Sequence, residues 1–204
     1  MGQIDVLFAT RTYRARLGGR NAVRLNRDLR EACFSIARDD RAGLAWSRAH
    51  DYPGYTSYAS LNDLPVRAPQ FAELERRLDA HVRAFARALH FDLGRRKLKL
   101  DSMWINILKP GGVHTAHIHP HSVVSGTYYV MASKGASALK LEDPRLGMMM
   151  AAPARKSNAP RDARPFVYVT PAPGTLILFE SWLRHEVPPG NARSDRISIS
   201  FNYA

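Results

Sequence analysis

Residues 98–131 read LKLDSMWINILKPGGVHTAHIHPHSVVSGTYYVM, and this stretch decides the predicted fold. It holds two short runs rich in β-branched and aromatic residues, MWINIL and SGTYYV, separated by a Pro-Gly-Gly turn and a histidine-rich segment. Short runs of this kind bounded by Gly and Pro are typical of strands. Towards the C-terminus the pattern continues in ALKLEDPR, PFVYVTP, GTLILFES and DRISISFNYA. The second half of the chain is therefore predicted to form a β-sandwich or barrel.

The residues before this stretch follow a mainly helical pattern. Residues 6–17 predict a short strand that enters the fold. Apolar residues spaced three and four apart predict helices over residues 21–40 and 69–90. Residues 43–68 are rich in Gly, Pro, Tyr, Ser and Asp and predict a loop. Residues 146–164 have little helical or strand periodicity and predict an insertion loop.

Composition limits the class of protein. A chain of 204 residues with 45% hydrophobic and 24% charged residues suits one globular domain and excludes a disordered chain. We expect a single α+β domain over residues 1–204, with a strand and supporting helices in 1–97 and a β-rich core in 98–204. No apolar run is long enough to predict a membrane span. The N-terminus lacks a secretory pattern and Cys33 is the single cysteine, so we expect a cytoplasmic protein without disulfides.

The formal net charge of +12 comes from 30 Lys and Arg against 18 Asp and Glu. This excess mildly favours an acidic substrate or a macromolecule, but it also fits a plain soluble surface rich in arginine. The sequence has no zinc-finger spacing and no RNP-like motif, so nucleic acid is not an expected partner.

Four of the eight histidines lie close together in GGVHTAHIHPH: His114, His117, His119 and His121. Alternate residues of a strand point to one face, so His117 and His119 can hold one metal ion. Imidazole suits Fe, Zn, Cu and Ni. Pro120 argues against His121 sharing that face. The plainer alternative is a surface histidine tract without a function.

A third ligand and an anion-binding group are predicted near the C-terminus. His185 follows the apolar strand in GTLILFESWLRHEVPPG and is the best candidate for a third ligand. In RISISFNY, Arg196 and Ser198 belong to a polar face that alternates with an apolar one. That polar face either meets solvent or lines a ligand pocket, where Arg196 could pair with a carboxylate.

Taken in order, His-x-His, a distal His and Arg-x-Ser resemble the Fe(II)/2-oxoglutarate-dependent oxygenases, in particular a bacterial family of undefined substrate. The resemblance covers most of the chain, through LFATRTY, MWINIL, HIHPHSVVSGTYYV, LEDPR, PAPGTLILFESWLRHEVPP and RISISFNY. It implies a double-stranded β-helix (a cupin-like jelly roll) buttressed by the N-terminal helices. It also implies a non-haem iron dioxygenase that couples oxidative decarboxylation of 2-oxoglutarate, with O2, to hydroxylation of an unidentified substrate.

The resemblance also assigns residues. His117 matches the first iron ligand and His185 the distal one. Arg196 matches the basic residue that pairs with the far carboxylate of 2-oxoglutarate, with Ser198 beside it. Relatives place polar groups near the cosubstrate at the position of Asn106.

Tyr129 is a weaker candidate of the same kind as Asn106. Its neighbour Tyr128 points to the opposite face of the strand. The sequence alone does not decide which of the two tyrosines faces the site.

The sequence departs from the family at His119, where relatives carry a carboxylate ligand. His119 either ligates iron and makes a three-histidine site, or turns away and leaves a water, or orients the substrate. Two further functions stay open: a three-histidine cupin-type dioxygenase without 2-oxoglutarate, and a non-enzymatic module that binds metal or nucleic acid.

The predicted loops 43–68 and 146–164 are the expected substrate walls. Tyr52, Tyr55, Tyr58 and Trp182 either line such a wall or pack in the core. The sequence leaves the oligomeric state open, with a homodimer through the helical layer as one candidate.

Overall fold

The computed structural model describes residues 2–145 and 147–204. Within these residues the chain forms ten strands and five α-helices. The strands are β1 (Thr12–Arg16), β2 (Gly54–Thr56), β3 (Leu100–Leu108), β4 (His114–His117), β5 (Val124–Met131), β6 (Leu139–Glu142), β7 (Phe166–Val169), β8 (Thr175–Glu180), β9 (His185–Val187) and β10 (Arg196–Tyr203). The helices are α1 (Ala22–Asp39), α2 (Arg41–Ala49), α3 (Leu64–Arg67), α4 (Pro69–Ala88) and α5 (Met148–Ala151).

The strands form two antiparallel sheets. The larger sheet has the order β1-β8-β5-β10-β3-β2, and the smaller has the order β4-β9-β6-β7. An apolar cluster joins the two sheets, with Tyr129 and Ile177 from the larger sheet and Leu139, Leu141 and Val187 from the smaller one. The predicted double-stranded β-helix is thereby confirmed, with short strands separated by the turns that the Gly and Pro pattern indicated.

Two long helices cover the outer face of the larger sheet. Leu29 of α1 and Phe71 of α4 are fully buried against a cluster that includes Ile199 and Phe201 of β10. Each such apolar side chain stabilises the fold by about 1.5–3 kcal/mol relative to exposure. Proline at the first position of α4 fits the start of a helix, where its missing N–H costs no hydrogen bond. The predicted helices over 21–40 and 69–90 are confirmed to within two residues.

The prediction of a loop over residues 43–68 is wrong. The segment contains the end of α2, all of β2 and all of α3. Asp40 caps α2 by accepting a hydrogen bond from the Gly43 amide at 2.9 Å. Its carboxylate also accepts bonds from the hydroxyls of Tyr55 and Ser60, at 2.8 and 2.6 Å. The elements are too short to show periodicity, so the Gly, Pro and Ser content dominated the sequence pattern.

The predicted strand over residues 6–17 is correct only in its second half. Thr12 pairs with Phe179, one residue from the end of β8, so residues 6–10 extend beyond the end of that strand. The described part of 146–164 is mostly irregular, as predicted, with α5 and one 3-10 turn at Arg161–Ala163. Among the described residues, no helix combines the length and the apolar character needed to cross a membrane.

Candidate active site

The inner face of the larger sheet is polar where three central strands lie side by side. Ser198 of β10 pairs with Asn106 of β3 on one side and with Tyr129 of β5 on the other. Because directly paired residues share a face, these three side chains form one row that points between the sheets. The next rows hold Trp104, Ser200 and Thr127, and then Ser102, Asn202 and Ser125. The polar face of β10 therefore lines an interior pocket, which settles the choice between pocket and solvent.

The smaller sheet brings histidines to the same interior. His117 of β4 pairs directly with His185 of β9. His119 follows β4, and its backbone N–H donates to the carbonyl of Ser181 at 2.9 Å. One ring nitrogen from each of these three histidines lies within 4.8 Å of the others. His121 is exposed with a φ of 68° and lies outside this cluster, as Pro120 suggested.

Hydrogen bonds fix which nitrogen of each ring is free. Nδ1 of His117 donates to the carbonyl of Thr115 at 2.7 Å, and Nδ1 of His185 donates to the carbonyl of Leu183 at 2.8 Å. Carbonyl oxygens only accept, so the proton sits on Nδ1 and the lone pair sits on Nε2. Nδ1 of His119 contacts the side-chain oxygen of Asn202 at 2.6 Å. All three rings therefore offer Nε2 to a shared point, as metal-binding histidines do.

The three histidines are also neutral at physiological pH. Burial, with nearby His117, lowers the pKa of His185 to about 3. Burial lowers the pKa of His119 to about 4, against the opposing effect of its bond to Asn202. The pKa of His117 is lowered in the same direction by burial. Neutral imidazole is the form that binds a metal, so little proton release is needed to load the site.

The three histidines line a narrow recess between the sheets together with Asn106, Arg196, Ser198 and Ser200. Arg196 makes this recess suitable for an anion. Arg196 is 5% exposed, donates to Ser198 Oγ at 3.1 Å and lies with Cζ 5.1 Å from the centre of the Tyr129 ring. In the described part of the chain, the buried side-chain polar atoms without a hydrogen-bond partner are Tyr129 Oη and Arg196 Nε. An unmade bond of this kind costs about 1–3 kcal/mol. An unpaired guanidinium N–H in the recess, with an unpaired tyrosine hydroxyl on the neighbouring side chain, fits a carboxylate ligand.

The two candidate tyrosines, Tyr128 and Tyr129, lie on opposite faces of the larger sheet. Tyr128 faces the helices and donates to Asn26 Oδ1 at 2.9 Å. Tyr129 faces the space between the sheets beside Arg196, and burial raises the pKa of its hydroxyl and keeps it a donor. Asn106 lines the same recess, but its amide already bonds to protein groups. Its Oδ1 accepts from Thr56 at 2.9 Å, and its Nδ2 donates to Ser200 at 3.0 Å.

The sequence assigned no role to His114, although it named this residue in the histidine cluster. The ring of His114 stacks on that of His117, with centres 4.7 Å apart and planes 21° apart. A bulge between these two residues disturbs the pairing of β4 with β9. The bulge brings residues three apart to one face, which strict alternation along a strand cannot show.

Asn202 is a second residue whose role the sequence missed. Besides its contact with His119, its Oδ1 accepts from Ser125 at 2.7 Å and its Nδ2 donates to Ser102 at 3.2 Å. These bonds orient the amide so that oxygen faces the imidazole. The available signal was the polar alternation of β10, which extends to Asn202.

A wider cavity of about 490 Å³ opens above the histidines. His114, His117 and His119 form part of its lining, which also includes aromatic residues: Trp46, Tyr52, Tyr58 and Trp104. Of the two predicted walls, 43–68 lines this cavity, whereas the described residues of 146–164 do not. Tyr55 packs in the helical core, and Trp182 lies outside the lining.

Comparisons with known proteins agree with this geometry. The family described as "Putative 2OG-Fe(II) oxygenase" matches residues 102–202, which carry both the histidines and Arg196. No curated protein matches the chain. A Pseudomonas putida prolyl-4-hydroxylase is similar in structure, with a TM-score of 0.62, 16% identity, and coverage of 95% of this chain and 92% of that chain.

HygX from Streptomyces hygroscopicus is also similar in structure. With iron bound, it matches with a TM-score of 0.60, 15% identity, and coverage of 96% of this chain and 83% of that one. Its structure with nickel and 2-oxoglutarate also has a TM-score of 0.60, at 16% identity, and covers 96% of this chain and 82% of that one. At these identities the likeness shows the fold.

A shorter match is an oxidoreductase of the 2OG-Fe(II) oxygenase family from Burkholderia pseudomallei, with a TM-score of 0.45 and 18% identity. It covers 60% of this chain, which spans about half (51%) of that one. The family match, the jelly roll and the three-histidine cluster lead to one conclusion: residues 102–202 form a domain of the 2OG-Fe(II) oxygenase family, whose cofactors are Fe(II) and 2-oxoglutarate.

Proposed function

We propose that His117, His119 and His185 hold Fe(II) through Nε2, while Arg196 and Tyr129 hold the far carboxylate of 2-oxoglutarate. The observation that carries this assignment is buried Arg196, which lines the same recess as the three histidines and whose Nε has no hydrogen-bond partner among the described residues. Tyr129, whose Oη also lacks a partner there, lies beside the Arg196 guanidinium. The donor set fits the groups at both ends. Neutral imidazoles suit ferrous iron, and a buried guanidinium beside a tyrosine hydroxyl suits a carboxylate.

Hydroxylation of a substrate is the proposed reaction. With Fe(II) and 2-oxoglutarate bound, O2-dependent decarboxylation of the cosubstrate supplies the oxidant. The protein contributes position and charge. Three neutral histidines leave the metal charge uncompensated, and buried Arg196 adds a further positive charge, so a dianionic cosubstrate is favoured over a neutral one.

Of the three interpretations of His119, the contacts favour ligation. Its Nδ1 is held by Asn202, which Ser125 and Ser102 hold in turn, so Nε2 keeps a fixed direction. A ring that turned away to make room for water would lose this bond. We therefore infer a three-histidine site. The open functions without 2-oxoglutarate or without catalysis are set aside, because the family uses both cofactors.

Removal of a ligand tests the metal assignment. We expect His117→Ala and His185→Ala to lose stoichiometric Fe(II) after anaerobic loading and gel filtration, measured by elemental analysis. His121→Asn is the matched control, because it changes an exposed histidine on the same segment and asparagine tolerates its positive φ. Iron content equal to wild type in a folded His117→Ala or His185→Ala protein removes that residue from the site.

Removal of the guanidinium tests the cosubstrate assignment. We expect Arg196→Ala to raise the 2-oxoglutarate concentration needed for half-maximal succinate release by about 100-fold, since a buried charged hydrogen-bond partner is worth several kcal/mol. Iron binding should not change. Arg193→Ala changes an exposed arginine three residues away and should have no effect. An unchanged requirement in Arg196→Ala contradicts the assigned role.

We also infer that residues 1–204 act as one domain, because the main apolar core draws Leu29 and Phe71 from the first half and Ile199 and Phe201 from the second. The cytoplasmic location and the homodimer through the helical layer stay predictions. Analytical ultracentrifugation tests the dimer.

A further inference from the structure

The wide cavity above the histidines indicates which kind of molecule the protein binds. That this molecule is the substrate of the oxygenase rests on the proposed function. We propose that this cavity binds a small, non-acidic molecule that stacks the flat face of a ring on an aromatic wall. Trp46, Tyr52, Tyr58 and Trp104 form that wall.

The aromatic wall is available to a ligand. Tyr58 is 53% exposed, although its ring packs edge-on against Trp104, with centres 5.2 Å apart. Trp46 is half-buried and stacks on His50, with centres 4.1 Å apart. The exposed Tyr58 ring and the partly exposed Trp46 ring offer apolar surface that a planar ligand in the cavity would cover. Asp40 holds this wall in place by capping α2 and bonding Tyr55.

The charge of the lining disfavours an acidic ligand. Among the described lining residues there is no lysine or arginine, and Asp51 is the one carboxylate. The rest of the described lining is aromatic, apolar or polar without a positively charged lysine or arginine side chain. A carboxylate or phosphate held against the aromatic wall would lose its water without meeting a lysine or arginine in the part of the lining that the structure describes. The net charge of +12 therefore lies elsewhere on the surface and does not indicate an acidic substrate.

The size of the cavity selects a small molecule. A volume of about 490 Å³ lies within the 300–1,000 Å³ typical of small-molecule sites. His117 and His119 belong to its lining, so a ring held on the wall lies next to the proposed metal centre. A folded protein or a nucleic-acid duplex would reach only the rim.

Paired probes that differ in one carboxylate test the proposal. Calorimetric titration of the metal-free protein would compare indole with indole-3-carboxylate, and 2-naphthol with 2-naphthoate. Each titration is repeated with excess 2-oxoglutarate, which competes for Arg196. We expect the neutral member of each pair to bind at least about tenfold more tightly, a difference of about 1.4 kcal/mol.

A matched pair of tryptophan variants locates the binding. Trp46→Ala should weaken binding of the neutral probe about 3- to 10-fold, the loss of one aromatic contact. Trp182→Ala removes a tryptophan that is 46% exposed but lies outside the cavity, and it should leave binding unchanged. Circular dichroism confirms that both variants fold.

Three results overturn the proposal: acidic probes that bind as tightly as neutral ones, equal binding by the two tryptophan variants, or no binding of either neutral probe. None of them involves iron or turnover. A failure of the proposed function would instead appear as lost iron or 2-oxoglutarate binding, with probe binding intact.

Discussion

Both faces of β10 are largely buried, yet one stabilises the fold and the other lines the candidate site. Ile197, Ile199, Phe201 and Tyr203 are all 0% exposed and face the helices. Arg196, Ser198 and Asn202 are 5%, 2% and 8% exposed and face the space between the sheets. Burial alone therefore does not separate fold from function in this strand. The two faces differ in what they contact. The apolar face packs against other apolar side chains, whereas the polar face leaves the Arg196 Nε–H donor free for a ligand.

The largest expected effect is a loss of stability when an apolar side chain on the helix-facing side of β10 is removed. Phe201→Ala should lower the free energy of unfolding by about 3–5 kcal/mol, because a fully buried ring is replaced by a cavity. Ser200→Ala, the preceding residue on the polar face, should lower it by at most about 1.5 kcal/mol through the lost bond from Asn106. Urea denaturation measures both values. Similar losses in the two variants would mean that the faces do not differ as described.

A second substitution, on the site-facing side of β10, should weaken metal binding and leave the apolar core unchanged. Asn202→Ala should weaken Fe(II) binding about 10- to 100-fold, because the oxygen that orients His119 is removed. Asn202→Asp keeps that oxygen and should retain most of the affinity. Anaerobic competition with a chelator measures the constants. Wild-type affinity in Asn202→Ala would show that His119 needs no such support or does not bind iron.

Lowering the pH should destabilise the fold through the buried histidines of the candidate site. The pKa of His185 is about 3 in the folded chain and about 6.5 when unfolded, so the unfolded state binds the extra proton between these values. The contribution of His185 is complete above pH 6.5 and is lost as the pH falls towards 3, by about 1.4 kcal/mol per pH unit. His185→Gln should therefore flatten the pH dependence of metal-free stability by one proton. Parallel curves for variant and wild type would refute this.

The smallest expected effect tests whether the helix-facing side of β10 influences the binding of iron and 2-oxoglutarate. Tyr203→Phe removes the hydrogen bond that the Tyr203 hydroxyl donates to Asp79 at 2.9 Å on the helix side. It should cost about 0.5–1.5 kcal/mol of stability and leave iron and 2-oxoglutarate affinity unchanged. Thermal unfolding and the succinate assay provide the two readouts. A shift in cosubstrate affinity would show that the two faces are coupled.

Much of this arrangement follows from residue order. Alternation along RISISFNY predicts the two faces of β10, and three-and-four spacing predicts α1 and α4. The remainder depends on contacts between distant segments. The bulge that brings His114 beside His117 has no local signature, and the choice between Tyr128 and Tyr129 depends on which side of the sheet the helices cover. The short helix α2, which supplies Trp46, depends on the cap from Asp40.

The central claim is that one recess joins a three-histidine Fe(II) site to the carboxylate anchor at Arg196 and Tyr129. The most direct test is anaerobic addition of 2-oxoglutarate to the Fe(II)-loaded protein, followed by visible absorption spectroscopy. The account predicts a weak metal-to-ligand charge-transfer band that saturates with 2-oxoglutarate in wild type and requires far more of it in Arg196→Ala. Confirmed iron binding with no band at saturating 2-oxoglutarate would contradict it.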